Sequence, residues 1–249
     1  MTEHKLAWVT GAGTGIGRAL ALRLARGGWR VAVSGRSVAP LNALAAEAGP
    51  AVSPFPLDIT DAAAIHRTLA NVETALGAID LAVLNAGTYA PIYAKTFDTA
   101  GFRKTVETNL LGTVDCLGAL MPAMIERRHG HIAVMASVAG FFGLPGASAY
   151  GASKAGINAM CEALRPDLER YGVKLTVINP GFVKTPLTDQ NDFPMPFLIP
   201  VDEAIDAIMR HLPAAPYEIS FPARMTLAMK TLRLLPHSLQ FAITRKMLR

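Results

Sequence analysis

Short runs of apolar residues recur along the chain at 6–10, 30–34, 52–56, 80–84, 131–136 and 173–179. Each is nearly continuous in hydrophobicity rather than alternating, the pattern of a strand covered on both faces of a parallel sheet. Between them, 15–27, 38–48, 61–76, 102–127 and 150–171 carry apolar residues at helical spacing. Strict alternation of strand and helix predicts an α/β fold, a doubly wound, mostly parallel sheet of about seven strands with helices on both faces. Asp61 stands where it can cap the third helix, and Pro166, inside the fifth, predicts a kink there. Beyond residue 182 the pattern loosens. Pro186, Pro194, Pro196 and Pro200 exclude a helix until 201–212, and a last strand is predicted at 217–221.

The segment 222–249 is a different kind of sequence. Met225, Ala228, Met229, Leu232 and Leu235 fall on one face of a helix, with Thr226, Lys230 and Arg233 largely opposite. Pro236 ends that helix, and Leu239, Ala242, Ile243 and Met247 predict a second apolar face after it. No repeat or linker divides the chain, so 1–249 reads as one domain with 222–249 as a C-terminal helical extension.

Composition narrows the picture. A chain of 249 residues, 51% hydrophobic and 17% charged, is long enough to bury a sizeable core. The net charge is +5, but Arg224, Lys230, Arg233, Arg245, Lys246 and Arg249 all follow Glu218, the last acidic residue. Without those six the chain carries 18 basic residues against 19 acidic ones. The basicity therefore belongs to the tail, and with no aromatic platform beside it no nucleic acid partner is expected. Cys116 and Cys161 lie in apolar helical segments without metal-ligand spacing, which predicts two buried thiols and no metal site. His211 and His237 are isolated. A strand beginning by Leu6 leaves no room for a secretory leader, and no run reaches the roughly 18–20 uncharged residues of a membrane span. A cytoplasmic protein is expected.

The chemistry begins at Thr10-Gly11-Ala12-Gly13-Thr14-Gly15-Ile16-Gly17, where the first strand runs into the first helix. Glycines there let the backbone approach a pyrophosphate, and the helix N-terminus offers free N–H groups with a favourable dipole. Further on stand Asn85-Ala86-Gly87 after the fourth strand, Asn109 in the long helix and Ser137 after the fifth strand. Tyr150-Gly151-Ala152-Ser153-Lys154 and Pro180-Gly181, followed by Thr185, complete the set. Tyr150 and Lys154 share a helix face one turn apart. A free tyrosine has a pKa near 10, and a neighbouring ammonium is expected to pull it down into the range of a usable general acid or base. Alone, that spacing equally describes a half-buried tyrosine beside a surface lysine.

Six such motifs in this order resemble the short-chain dehydrogenase/reductase family over about residues 6–221. The resemblance implies a Rossmann-like, NAD(P)-dependent oxidoreductase that interconverts a carbonyl and a secondary alcohol, acting as a homodimer or homotetramer on a small molecule. It implies that Ser137 hydrogen-bonds the substrate oxygen, that Lys154 also holds the nicotinamide ribose, and that Asn109 anchors a proton-relaying water. It places the cofactor along Gly11, Gly13, Thr14, Gly15, Ile16, Gly17, Ser34, Arg36, Asp58, Ile59, Asn85, Ala86, Gly87, Tyr150, Lys154, Pro180, Gly181, Val183 and Thr185. Two departures stand out: Leu84 replaces an asparagine common before the Asn85 position, and the tail extends past the usual end.

The cofactor's identity turns on Val33-Ser34-Gly35-Arg36-Ser37. An NAD site places a carboxylate after the second strand. Here Gly35 stands in its place, with Arg36 and two hydroxyls beside it, which favours NADP(H) over NAD(H). Thr14 lacks the basic side chain that some NADP-preferring relatives carry. Asp58 is expected to contact adenine or, alternatively, to cap a loop. The apolar loop 184–200 either lines the cleft, favouring an apolar substrate, or only packs down. Three readings of the tail stay open: a helix pair on the body or a second subunit, a lid, and a peripheral contact with anionic lipid. A non-catalytic NADP(H) sensor or membrane-associated regulator is the alternative function.

Overall fold

The computed structural model describes residues 5–247. Seven parallel strands form one sheet: β1 (Leu6–Thr10), β2 (Arg30–Ser34), β3 (Val52–Pro54), β4 (Leu81–Leu84), β5 (Gly130–Met135), β6 (Val173–Pro180) and β7 (Glu218–Phe221). Their spatial order is β3-β2-β1-β4-β5-β6-β7. The strand order reverses between β1 and β4, and in open sheets of this kind ligands bind beyond the carboxyl ends at that switch point. The strands are close to the predicted ones because both faces are covered. Trp8, Ala32, Ile132 and Val134 pack into one core cluster and Val9, Val31, Val33 and Ala133 into the other.

The helices are α1 (Gly15–Arg26), α2 (Val38–Ala48), α3 (Ala62–Leu76), α4 (Thr99–Val106), α5 (Gly112–Glu126), α6 (Ser148–Arg170), α7 (Val201–His211), α8 (Ala223–Leu234) and α9 (His237–Arg245). Asp61 caps α3 as predicted, accepting from Ala64 N at 2.8 Å. Two expectations are corrected. The helix predicted over 102–127 starts three residues earlier, because Asp98 caps it through Gly101 N at 3.0 Å. It is also not one helix: a π turn at Glu107–Leu111 separates α4 from α5. The helix α6 contains Pro166 at an exposed position within its 23 residues.

The stretch Thr99–Glu126 is, by length and composition alone, apolar enough to cross a membrane. Asp115 lies within it, however, and Cys116, Leu117, Leu120 and Met124 are buried in the core cluster that holds α3. Both cysteines are free and buried as expected, their thiols pushed up to about 12 by burial.

His131 on β5 faces Thr176 Oγ1 at 2.9 Å, and burial, with Lys174 and Arg165 nearby, lowers its pKa to about 4. An unfolded histidine titrates near 6.5, so between these values the unfolded chain binds the extra proton. Stability is thus present above about pH 6.5 and is lost as pH falls toward 4, by up to about 3 kcal/mol. Urea titrations at pH 7, 5.5 and 4.5 should show this loss in the wild type and a shallower one in His131→Gln.

Candidate active site

The glycine-rich turn is held by its neighbours in sequence space far away. Gly11 has φ +64°, and a Cβ there would sit 2.7 Å from Ala86 Cα. A Cβ on Gly17 would collide with Asn85 Nδ2 and lie 2.5 Å from Gly11 O. Asn85 fills the space those glycines leave, donating from Nδ2 to Thr10 O at 3.0 Å and Gly11 O at 3.2 Å. Thr10 Oγ1 in turn accepts from Asn85 N at 3.0 Å and Ala86 N at 3.1 Å. Asn85 therefore shapes the phosphate turn through protein contacts. At the N-terminus of α1, Thr14 makes no side-chain cap and the first turn has no acidic residue. That leaves N–H groups and the positive end of the dipole for an anion. The residues present fit a dinucleotide pyrophosphate. A Cβ at Gly15 would lie 3.3 Å from Thr185 Cβ, so the start of the 184–200 loop faces this turn as expected.

The residues after β2 divide. Arg36 is exposed and makes no ion pair or hydrogen bond among the described residues. A Cβ at Gly35 would meet only Leu41 Cδ2 at 3.7 Å and Gly13 N at 4.0 Å, ordinary contacts. Ser34 corrects an expectation. It is fully buried, its Oγ accepts from Trp8 Nε1 at 2.9 Å, and its carbonyl holds Ala12 N, so it braces the turn from below rather than facing a phosphate. Asp58 takes the loop-capping role: its Oδ1 accepts from Thr60 N at 3.0 Å and Thr60 Oγ1 at 2.9 Å. Its neighbour Ile59 is buried against Gly112, where any side chain would strike the Ile59 carbonyl.

Ser137, Tyr150 and Lys154 come together where β5 ends and α6 begins. Ser137 Oγ lies 3.3 Å from Pro180 O and accepts from Ala139 N at 3.1 Å. Its backbone N donates to Asn179 Oδ1 at 3.1 Å. Lys154 is 3% exposed, and its Nζ donates to Met135 O at 2.7 Å and stands 5.7 Å from the centre of the Tyr150 ring. A Cβ on Gly87 would be 3.7 Å from that Nζ, which brings Asn85-Ala86-Gly87 to the same place.

The electrostatics correct the expected lowering of the tyrosine. Burial is the dominant effect and raises the Tyr150 pKa, with hydrogen bonding to Ser137 opposing it. Burial also lowers Lys154 to about 8. In this protein-only environment the phenol is held neutral at physiological pH.

Asn109 is also corrected. Its side chain is fully engaged by protein, accepting from Thr88 N at 2.7 Å and donating to Thr88 O at 2.9 Å and Ser153 Oγ at 3.1 Å. It ties the segment after Gly87 to α6. It lies in the π turn, and its carbonyl accepts from Thr113 Oγ1 at 2.7 Å.

Two residues went unnoticed in the sequence. Tyr89 packs edge-on against Tyr150, ring centres 5.3 Å apart; it stands two residues past Gly87, the one signal it offered. Asn179 is 1% exposed and positions Ser137, while its Nδ2 has no partner among the described residues and lines a cavity of about 360 Å³ with Asn158, Tyr217 and Lys230. In the apolar loop, Ile199 is buried and pins the loop base through Val183, Phe193 packs on Phe182 at 6.0 Å, and Phe197 and Leu198 are exposed. Gly181, beside Pro180, is crowded by Met225 and Pro222, so α8 packs directly on that motif.

Comparison with known proteins agrees with this geometry. The short chain dehydrogenase profile matches residues 5–193. The chain belongs to the short-chain dehydrogenase family. It is 40% identical over 248 residues to an uncharacterized oxidoreductase of Myxococcus xanthus, covering 98% of both chains. It is 35% identical over 191 residues to one from Staphylococcus epidermidis, covering 77% of this chain and 83% of the relative. Among solved structures, a short chain dehydrogenase from Burkholderia cenocepacia in complex with NADP is 27% identical, with a TM-score of 0.84, covering 97% of this chain and 98% of that one. As members of this family do, the chain is an oxidoreductase with a Rossmann-like fold.

Proposed function

We propose that the protein interconverts a carbonyl and a secondary alcohol with NADP(H), on a small or apolar substrate. The observation that carries this is the convergence of Ser137, at the end of β5, with Tyr150 and the buried ammonium of Lys154, its Nζ 5.7 Å from the Tyr150 ring centre. The bound nicotinamide supplies or accepts the hydride. Everything else falls to the chain. Ser137 and Tyr150 hydroxyls hydrogen-bond the substrate oxygen, and Tyr150 Oη donates the proton as that oxygen gains negative charge. A phenol kept neutral by burial is suited to the donor role, the reductive direction. Lys154 keeps positive charge near the developing phenolate, and Met135 O holds its Nζ in place. Tyr89 and Phe182 give the surroundings aromatic faces, which supports an apolar substrate.

The first turn of α1, Gly35 and the exposed Arg36 support NADP(H), as does the NADP complex of the Burkholderia relative. The two buried thiols support a reducing, cytoplasmic setting, and family membership supports a homo-oligomer. The test is oxidation of NADPH and NADH against a panel of aliphatic and aromatic ketones and aldehydes. Turnover with NADPH supports the reading; binding without turnover on any carbonyl overturns it in favour of a sensor. The cofactor choice has its own test. Gly35→Asp has room for its Cβ and should repel a 2′-phosphate, moving the NADPH:NADH preference in kcat/KM about 10–100-fold toward NADH. An unchanged ratio would remove Gly35 from the argument.

A further inference from the structure

The tail resolves into two helices whose outward faces do not match those of a finished surface. Met225 and Met229 of α8 are buried against Val138, Phe141, Phe142 and Phe182, and Leu232 on the same face is buried too. Leu227 and Leu234, seven residues apart on the opposite face, are 69% and 84% exposed. The second helix, α9, turns a polar side inward. Its buried residues are the polar Gln240 and Thr244, while Leu239, Phe241, Ile243 and Met247 point outward. Gln240 accounts for this arrangement: its Nε2 donates to Leu232 O at 3.1 Å, which also accepts from Leu235 N, and to Arg233 O at 3.2 Å, carbonyls at the end of α8. The polar side is needed inside, so the apolar side is left to the outside.

Cations are set among these exposed apolar residues. Arg224, Arg233, Arg245 and Lys246 form no ion pair among the described residues, whereas Lys230 is taken by Glu218 at 2.7 Å. No carboxylate side chain follows Glu218 in the sequence. We propose that α8 and α9 form a peripheral anchor that seats on an anionic lipid bilayer, with Leu227, Leu234, Leu239 and Phe241 entering the interface and the four cations meeting phosphate headgroups.

The charge decides between occupants. A two-fold contact with a second copy would set this patch against itself, placing unpaired cations face to face with no carboxylate between them. An anionic bilayer accepts both parts, hydrocarbon for the leucines and negative surface for the arginines. Nucleic acid would satisfy the charge alone. The single exposed aromatic ring of α9, Phe241, is already stacked on His237 at 5.9 Å. Because α8 walls the region beside Ser137 with its other face, the anchor would also set the cleft close to the bilayer.

The proposal is independent of the carbonyl-reductase reading and is tested by co-sedimentation of the full-length protein with vesicles. Binding is expected to phosphatidylglycerol/phosphatidylcholine vesicles, with little to phosphatidylcholine alone and release at high salt. Arg233→Gln/Arg245→Gln/Lys246→Gln should weaken binding about 100-fold. Leu234→Glu/Phe241→Glu, both at exposed positions, should abolish it while circular dichroism stays unchanged. Equal, weak partitioning to both vesicles, or loss of binding in neither variant, would overturn the proposal. So would light scattering that shows a dimer broken by Leu234→Glu/Phe241→Glu in a protein that ignores vesicles.

Discussion

Tyr150→Phe should lower kcat for carbonyl reduction by about 10²–10⁴-fold, the usual contribution of a positioned general acid. The substitution removes one oxygen and little else. The ring keeps its edge-on contact with Tyr89 and its place beside Lys154, so the fold and cofactor affinity should be unchanged. What disappears is the proton source and the hydrogen bond with Ser137. Initial rates of NADPH oxidation, with parallel fluorescence titration of NADPH, separate the two effects. Tyr89→Phe is the control, since it keeps the same ring contact and touches no proton in the proposed reaction. Retained turnover in Tyr150→Phe would sink the mechanism, whatever the fate of the control.

The second large effect is expected at Gly17. An added methyl in Gly17→Ala would occupy the position of Asn85 Nδ2 and crowd Gly11 O at 2.5 Å. Asn85 would have to leave Thr10 O and Gly11 O, two carbonyls with no substitute side chain at hand. Overpacking of this kind costs about 1–3 kcal/mol. In a chain of this size that corresponds to a fall in Tm of roughly 2–12 °C. NADPH binding should weaken along with it, because the displaced backbone is the proposed pyrophosphate cradle. Gly118→Ala in α5 is the matching control. Its Cβ would meet nothing within 4 Å, so a gain of about 0.5–1 kcal/mol is expected there from helix propensity alone. Calorimetry on the two variants tests the contrast: equal melting temperatures would show that the turn tolerates a side chain after all.

Much of the framework was legible before any coordinates. A strand buried on both faces needs a continuous apolar run, so β1, β2, β4 and β5 announce themselves locally, and strict alternation with helices leaves few topologies. The glycine-rich turn, Ser137 and the Tyr150–Lys154 spacing are likewise local signals with fixed positions in the chain. Of the apolar face read in the tail, Met225, Met229 and Leu232 are buried, Leu235 is half-buried and Ala228 is exposed.

Partner choice was not legible, because it depends on residues brought close from elsewhere. Ser34 could have faced a phosphate; Trp8, 26 residues away, claims its hydroxyl. Asn109 could have held a water with its amide, but Thr88 and Ser153 occupy both ends of it. The Tyr150 pKa was expected to follow its nearest charge, yet it follows burial, which only the assembled core creates. In α9 the apolar spacing left open which side packs, and the structure turns Gln240 inward, where its amide meets the carbonyls ending α8. The sequence by itself determined the strands, the helices and the chemical groups at their ends. The tertiary structure decided which of those groups remain available to a ligand, because a hydrogen bond or a desolvated site is a property of neighbours in space.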